Sequence, residues 1–288
     1  MPASLVLIDK QPGWTSHDVV AKLRGILGTR KIGHAGTLDP MATGLLVLGV
    51  DGGTKLLQFI SGSDKQYIAT IRLGAATHTD DAEGDVVLTA SAKDITASQI
   101  DAEIAKLTGE ITQIPSSVSA IKVDGKRAYD LVRDGKEVEL KGRTVTVSNF
   151  RRTSEPQITD DFLDFDVVVD CSSGTYIRAL ARDIGAALGV GGHLTMLRRT
   201  KIGNFDLSNA THIDKPPVLI PLLKAAETLF ESITLSFEQA RDIVHGKRIE
   251  LAASGLVAAT WNGELLAVLE PVGSQLKSVV VFPEVFNA

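Results

Sequence analysis

The chain has 288 residues, 44% of them hydrophobic, and a formal net charge of −5. That length and apolar share suffice for one large core and a small second unit, and the negative charge argues against a nonspecific coat on nucleic acid. The opening run Leu5-Val6-Leu7-Ile8 is too short for a secretion signal, and no stretch approaches the roughly 18 apolar residues that span a bilayer, so a cytoplasmic chain is expected. Cys171 is the sole cysteine, which excludes an internal disulfide and a multi-thiolate zinc site; the six histidines show no HExxH spacing, and no metal is expected.

Leu5 to Asp9 reads as a strand, and Thr15-Ser16-His17-Asp18 has the spacing of a capping box. Val19, Val20, Leu23, Ile26 and Leu27 then recur at helical intervals up to Gly28. The stretch from Gly33 through Asp39-Pro40 to Gly44 places one carboxylate in a cramped loop. Its three glycines admit torsions closed to other residues, while Pro40 fixes its own φ and pushes Asp39 toward an extended conformation. The apolar run Leu45 to Leu48 seats that loop at the edge of a buried strand, a setting for reactive groups. An Asp before Pro also caps turns, and the loop alone leaves both roles open.

Gly52-Gly53-Thr54-Lys55 opens a short helix through Ile60 but lacks the order of a phosphate loop. Lys65 to Leu73 alternates, with Tyr67, Ala69, Ile71 and Leu73 on one face, so Tyr67 is either a core ring or a pocket wall. Ala75 to Asp85 is a polar, acidic loop without calcium-loop spacing. Thr96 to Gln99 is a second capping box, with Ile100, Ile104 and Leu107 continuing the helix. Lys126 to Asp134 is expected to form a basic helix after a turn at Asp124-Gly125.

From Lys122 to Arg152, nine Lys and Arg stand against five acids, whereas His78 to Glu103 carries seven acids and one Lys. Such a basic insertion in an acidic protein suits a selective polyanion site, and solvated helix faces produce the same runs.

Phe162 to Cys171 alternates strictly and runs into Ser172 to Thr175 and a helix. Arg178 falls in that helix's first turn, where a cation opposes the macrodipole. It is either exposed or compensated by a buried carboxylate. His193 to Thr200 reads as a strand, followed by cations at Arg198, Arg199 and Lys201. After the prolines at 216, 217 and 221 the composition turns β-rich, with a capped helix from Ser236 and a hairpin at Asn262-Gly263, marking a small second domain from about residue 232.

Five of these segments occur together: Lys10 to Ser16, Gly33 to Pro40, Asp64 to Tyr67, Cys171 to Arg178, and Leu197 to Thr200. In that order they resemble the TruB-type tRNA pseudouridine(55) synthases, over about residues 5 to 215. Gln11 stands where the family usually has proline after the lysine, and the C-terminal segment is loosely similar to the family's PUA-type RNA-binding domain.

The resemblance implies an α+β fold: a mixed, mostly antiparallel central sheet with flanking helices in residues 1–231, the basic insertion at about 122–152, and a small β-rich domain in 232–288. It implies conversion of a T-loop uridine of tRNA to pseudouridine, without cofactor, metal, membrane or obligatory protein partner. Asp39 is then the nucleophile, Arg178 its ion-pair partner and Tyr67 the ring stacked on the target base. Tyr176 and Leu197 become pocket walls, and His34 fills the space left by flipped bases. Lys55, Lys10 and the insertion become phosphate contacts, with Asp81 orienting the network. The competing readings are an RNA-binding or RNA-folding protein, a guide-dependent synthase inside an RNA-protein particle, and, more remotely, aspartyl phosphate chemistry.

Overall fold

The computed structural model of the chain describes residues 2–116, 122–123, 126–127 and 141–286. Elements run in the order β1 (Ser4–Lys10), α1 (Ser16–Leu27), β2 (Ile32–Ala35), β3 (Thr43–Val50), α2 (Leu57–Ser61), β4 (Lys65–Leu73), β5 (Ala75–Thr77) and β6 (Val86–Thr89). Next come α3 (Ala97–Lys106), β7 (Gly109–Gln113), β8 (Arg143–Arg152), β9 (Phe162–Cys171), α4 (Ile177–Ala187) and β10 (Gly192–Ile202). The C-terminal part adds α5 (Leu222–Leu229), β11 (Glu231–Thr234), α6 (Phe237–Val244), β12 (Ile249–Glu250), β13 (Val257–Trp261), β14 (Glu264–Val272) and β15 (Gln275–Val281).

The central sheet orders these as β1-β3-β10-β4-β9-β8-β7, with β2 on β3 and the short strand Thr211–His212 beyond β1. Neighbours are antiparallel except β3 with β10 and β1 with Thr211–His212. This is the mixed, mostly antiparallel α+β sheet that the sequence leads one to expect.

Alternation along the strands assigns each face its core. Tyr67, Ala69, Ile71 and Leu73 of β4 and Leu163, Phe165, Val167 and Val169 of β9 pack with Leu180, Ala181 and Ile184 of α4 and with Ile100 of α3. The opposite face of the same two strands is a polar ladder: Gln66 to Asp170, Thr70 to Asp166 and Arg72 to Asp164 at 2.6–2.8 Å. In β1 and β3 both faces are covered. Val6, Ile8, Leu46 and Leu48 meet Val19, Val20 and Leu23 of α1, while Leu5, Leu7, Leu45 and Val47 meet Ala258, Leu265, Val268 and Phe282 of the C-terminal sheet. That sheet, ordered β11-β13-β14-β15-β12, therefore shares a core with the strands flanking the Asp39 loop.

Capping chemistry reads out as expected. Thr15, Thr96 and Ser236 each close a capping box, and Gly28 ends α1 in the left-handed conformation. Two expectations are corrected. Ala75–Thr77 is a strand paired with β6 rather than part of an irregular loop, and Asp80 and Asp81 are buried, because arginines distant in sequence neutralise them. Lys126–Arg127 pairs as a strand with Lys122–Val123 instead of starting a helix; the rest of that expected helix lies outside the described residues.

The Asp39 loop leaves β2 through Gly36 (φ +81°) and enters β3 through Gly44 (φ +97°), whereas Gly33, the third glycine, sits within β2. A Cβ at Gly44 would lie 2.2 Å from the Arg199 carbonyl oxygen. Gly44→Ala should therefore cost at least ~2 kcal/mol through left-handed strain and clash together. Gly28→Ala, open on all sides at φ +65°, should cost only about 1 kcal/mol. Urea unfolding of both variants checks the contrast, and equal losses would contradict it.

Candidate active site

The Asp39 loop is fastened by the chain's first motif. Lys10, fully buried, donates from Nζ to the carbonyls of Gln11, Trp14 and Pro40 at 3.0, 2.6 and 3.1 Å. The Gly13 amide also donates to Pro40 at 2.9 Å, and the Leu38 amide donates to the buried Ser16 hydroxyl at 2.9 Å. Residues on either side of Asp39 are thus tied to the β1–α1 turn, which explains why these two motifs belong together.

The carboxylate itself, 40% exposed, faces Arg178 Nη2 at 3.0 Å; the guanidinium is 5% exposed. Arg178 Nη1 donates to the Thr79 carbonyl at 2.7 Å and lies 3.4 Å from the buried Asp81 carboxylate. Asp81 is held in turn by the Thr79 hydroxyl and the Glu83 amide. The cation in the first turn of α4 is thus offset by two carboxylates, one buried and one open to the cleft. Glu83, beside both, is raised above the usual carboxylate range by burial first and by the charges of Asp81 and Asp39 next.

A cleft of about 290 Å³ opens over Asp39, lined by Tyr67, Tyr176, Leu197 and Arg178 and also by Lys65 and Arg199. Burial raises the Tyr67 phenol, so it stays protonated. Tyr176 is positioned by the Gln113 amide, which accepts from its N–H at 2.8 Å and donates to its carbonyl at 3.0 Å, and Arg143 lies 4.5 Å over its ring. A larger, shallower groove of about 890 Å³ between α3 and β8, lined by Asp101, Ile104, Phe150 and Arg152, holds none of these groups.

Five of the expected site residues meet in this cleft: Asp39, Tyr67, Tyr176, Arg178 and Leu197. Asp81 stands behind Arg178. His34, in β2, lies outside the cleft lining, half-buried and edge-on to His17 with ring centroids 5.6 Å apart. Burial, then the neighbouring His17, lowers its pKa and favours the neutral imidazole.

One expected phosphate contact is corrected, at Lys10; Lys55 is exposed. Lys10 has no surface to offer and is a brace of the loop. Lys55 donates to the Val281 carbonyl at 2.7 Å and sits over the Phe282 ring at 4.9 Å, which joins it to the C-terminal sheet. Sequence reasoning gave no role to Gln113, Lys65 or Arg199, and placed Arg143 only among the cations of the basic insertion. Only Lys65 and Arg199 stood inside quoted motifs, and neither motif says which way its side chains point. Among the described residues, no group of three or more His, Cys, Asp or Glu is arranged to hold a metal, and no helix is long and apolar enough to cross a membrane.

An ion-paired, half-exposed aspartate beneath a cleft walled by two tyrosines, on a mixed sheet, makes this the candidate active site. Comparison with known proteins makes the assignment specific. The model for the TruB family pseudouridylate synthase N-terminal domain matches residues 24–177, the tRNA pseudouridylate synthase B C-terminal domain residues 178–215, and the tRNA pseudouridine synthase II C-terminal model residues 230–283. The tRNA pseudouridine synthase B of Leifsonia xyli is 53% identical over 98% of this chain and 97% of its own length. That of Rhodococcus jostii is 52% identical over 97% and 93%. A solved Cbf5-Nop10-Gar1 complex contains a chain superposing with a TM-score of 0.71 at 25% identity, over 98% of this chain and 86% of its own. The chain belongs to the TruB family of pseudouridylate synthases.

Burial lowers the Lys10 ammonium to about 8, against about 10.4 in an unfolded chain. Between those values the unfolded state holds more protons, so raising the pH stabilises the fold. The unfolding free energy of the wild type, relative to Lys10→Met, should therefore rise from pH 8 to pH 10 in urea titrations. A flat difference would show that Lys10 titrates normally.

Proposed function

We propose that this chain isomerises uridine 55 in the T-loop of tRNA to pseudouridine, acting alone and in the cytoplasm. The observation that carries the reading is the Asp39 carboxylate fixed 3.0 Å from Arg178 at the floor of an aromatic-walled cleft, in a chain half identical to proteins named tRNA pseudouridine synthase B along nearly its whole length.

In the isomerisation the C1′–N1 bond breaks and a C1′–C5 bond forms. The C5 hydrogen leaves as a proton and N1 gains one, so nothing is added or removed overall. Asp39 supplies the nucleophile that starts glycosidic cleavage. Arg178 aims it and balances its charge, and Asp81 with Thr79 keeps the guanidinium from swinging away. Tyr67 stacks on the uracil; with its phenol protonated, it assists proton removal as a hydrogen-bonding partner rather than as a free phenolate. Tyr176 and Leu197 confine the ring while it turns.

A base stacked in a folded loop cannot reach this cleft, so the nucleotide is flipped out at a cost of a few kcal/mol. His34, neutral and on the strand leading into the Asp39 loop, fills the space it leaves. Residues 1–231 carry the chemistry, and residues 232–288 form a PUA-like RNA-binding unit. The basic segment from 122 to 152 adds phosphate contacts.

Three outcomes test this reading on an unmodified tRNA transcript. Wild type forms pseudouridine without added protein or guide RNA, whereas Asp39→Asn binds the transcript and forms none; wild type that binds without product would favour the RNA-folding or guide-dependent alternatives. Arg178→Lys, a point charge unable to reach both carboxylates, loses about 10²-fold or more in turnover with the fold intact, and near-normal turnover would break the partnership. Affinity for tRNA falls steeply with salt as counterions are released; an unchanged dissociation constant between 50 and 200 mM salt would remove the phosphate contacts.

A further inference from the structure

Among the described residues Arg199 is the largest fully buried side chain, and three hydrogen bonds of its guanidinium run to carbonyl oxygens. Nε donates to Leu45 at 2.8 Å, Nη2 to Gly36 at 3.0 Å and Nη1 to Thr37 at 3.4 Å. Gly36 and Thr37 enter the Asp39 loop, and Leu45 follows its exit. The guanidinium thus spans the loop from one end to the other. Its backbone contributes as well: Arg199 pairs with Gly44 across β3 and with Tyr67 across β4.

A register shift between Arg199 and Lys201 breaks the β10–β4 ladder at this point. Such irregularities re-aim side chains beside active sites. Thr200 secures the irregular stretch by donating to the Gln66 side chain at 2.9 Å. Arg198 is directed away, to a bidentate pair with Asp9 at 3.0 and 2.7 Å. Burying a guanidinium against carbonyls without a carboxylate partner is a costly way to fill space that Met or Leu would fill more cheaply. The geometry accounts for that cost only if the loop's position matters.

We propose that Arg199 is a positioning residue for the reaction: it locks both ends of the Asp39 loop to β10, the neighbour of the strand that carries Tyr67, so that the carboxylate and the stacking ring keep one fixed spacing across the cleft. The inference rests on the pseudouridine reading above. The Coulombic effect of Arg199 on the Tyr67 phenol fits this closeness.

The test compares Arg199→Lys and Arg199→Gln with wild type in single-turnover pseudouridine formation at saturating tRNA, alongside tRNA binding and thermal unfolding. Lysine keeps the charge but loses the planar fork that spans three carbonyls; glutamine keeps one NH2 group and no charge. Both should lose about a hundredfold in rate, as expected for a displaced catalytic group, with the tRNA dissociation constant unchanged and lysine the less impaired.

A Tm that falls while the rate at saturation stays at the wild-type value would make Arg199 merely structural and overturn the proposal. So would a loss confined to tRNA binding, which would make it an RNA contact. If neither variant folds, the wild type decides: the Arg199 Nε–H, bonded to Leu45, should resist exchange with deuterium, and exchange as fast as an exposed arginine would refute the clamp. Absence of product from wild type would instead defeat the underlying functional reading, which keeps the two failures distinct.

Discussion

A guanidinium taken out of water in the first turn of a helix is the constraint on which the rest of this molecule depends. Arg178 is unfavourably placed with respect to both solvation and the α4 macrodipole, and it is made tolerable as Asp39 and Asp81 converge on it from two separate loops and the Thr79 carbonyl accepts from it. Neither loop can move without leaving a buried charge partly unpaired, and breaking such a pair is expensive. The β5–β6 hairpin, which brings the acidic stretch down onto α4, is therefore as much a part of the site as the Asp39 loop. The same electrostatic necessity that stabilises the arrangement aims the one carboxylate left open to the cleft.

The second requirement is rigidity in a segment without regular structure. Residues 36–44 make few hydrogen bonds among themselves, the Ala42 amide to the Asp39 carbonyl being one. Their order comes from outside: the β1–α1 turn through Lys10, Gly13 and Ser16, and β10 through Arg199. It follows that β3 and β10 are parallel neighbours in a sheet that is otherwise nearly all antiparallel. The parallel contact at Thr43 and Gly44 brings the C-terminal part of β10 beside the loop's exit, where a buried arginine can reach across it.

What the sequence made legible was whatever repeats with a short period or sits in a spaced motif. The alternation of β4 and β9, the three capping boxes and the Asp39 and Arg178 motifs all translate into the structure with little change. Each is decided within about ten residues of chain. The failures have one cause. Asp80 and Asp81 look like a solvated acidic run because their partners, Arg178 and Arg182, lie about a hundred positions away. Lys10 looks like a phosphate ligand because charge suggests solvent, yet backbone carbonyls brought in by the fold take up its ammonium group. Arg199 reads as one of a group of cations because residue type suggests solvent, although it alternates with Leu197 onto the buried face of β10.

The same reasoning bears on how a large RNA could be handled by so small a chain. Phe282, Leu265 and Ala258 of the C-terminal sheet share a core with Leu5 and Leu45, and Lys55 ties Val281 to the turn after β3. The C-terminal sheet therefore packs through a shared apolar core on the strands that launch and receive the Asp39 loop. On the proposed reading, a tRNA held by residues 232–288 meets the cleft at an angle fixed by hydrophobic packing rather than by a linker. The binding energy gathered there goes into orienting one flipped base over one carboxylate, instead of being lost to the entropy of two units finding each other.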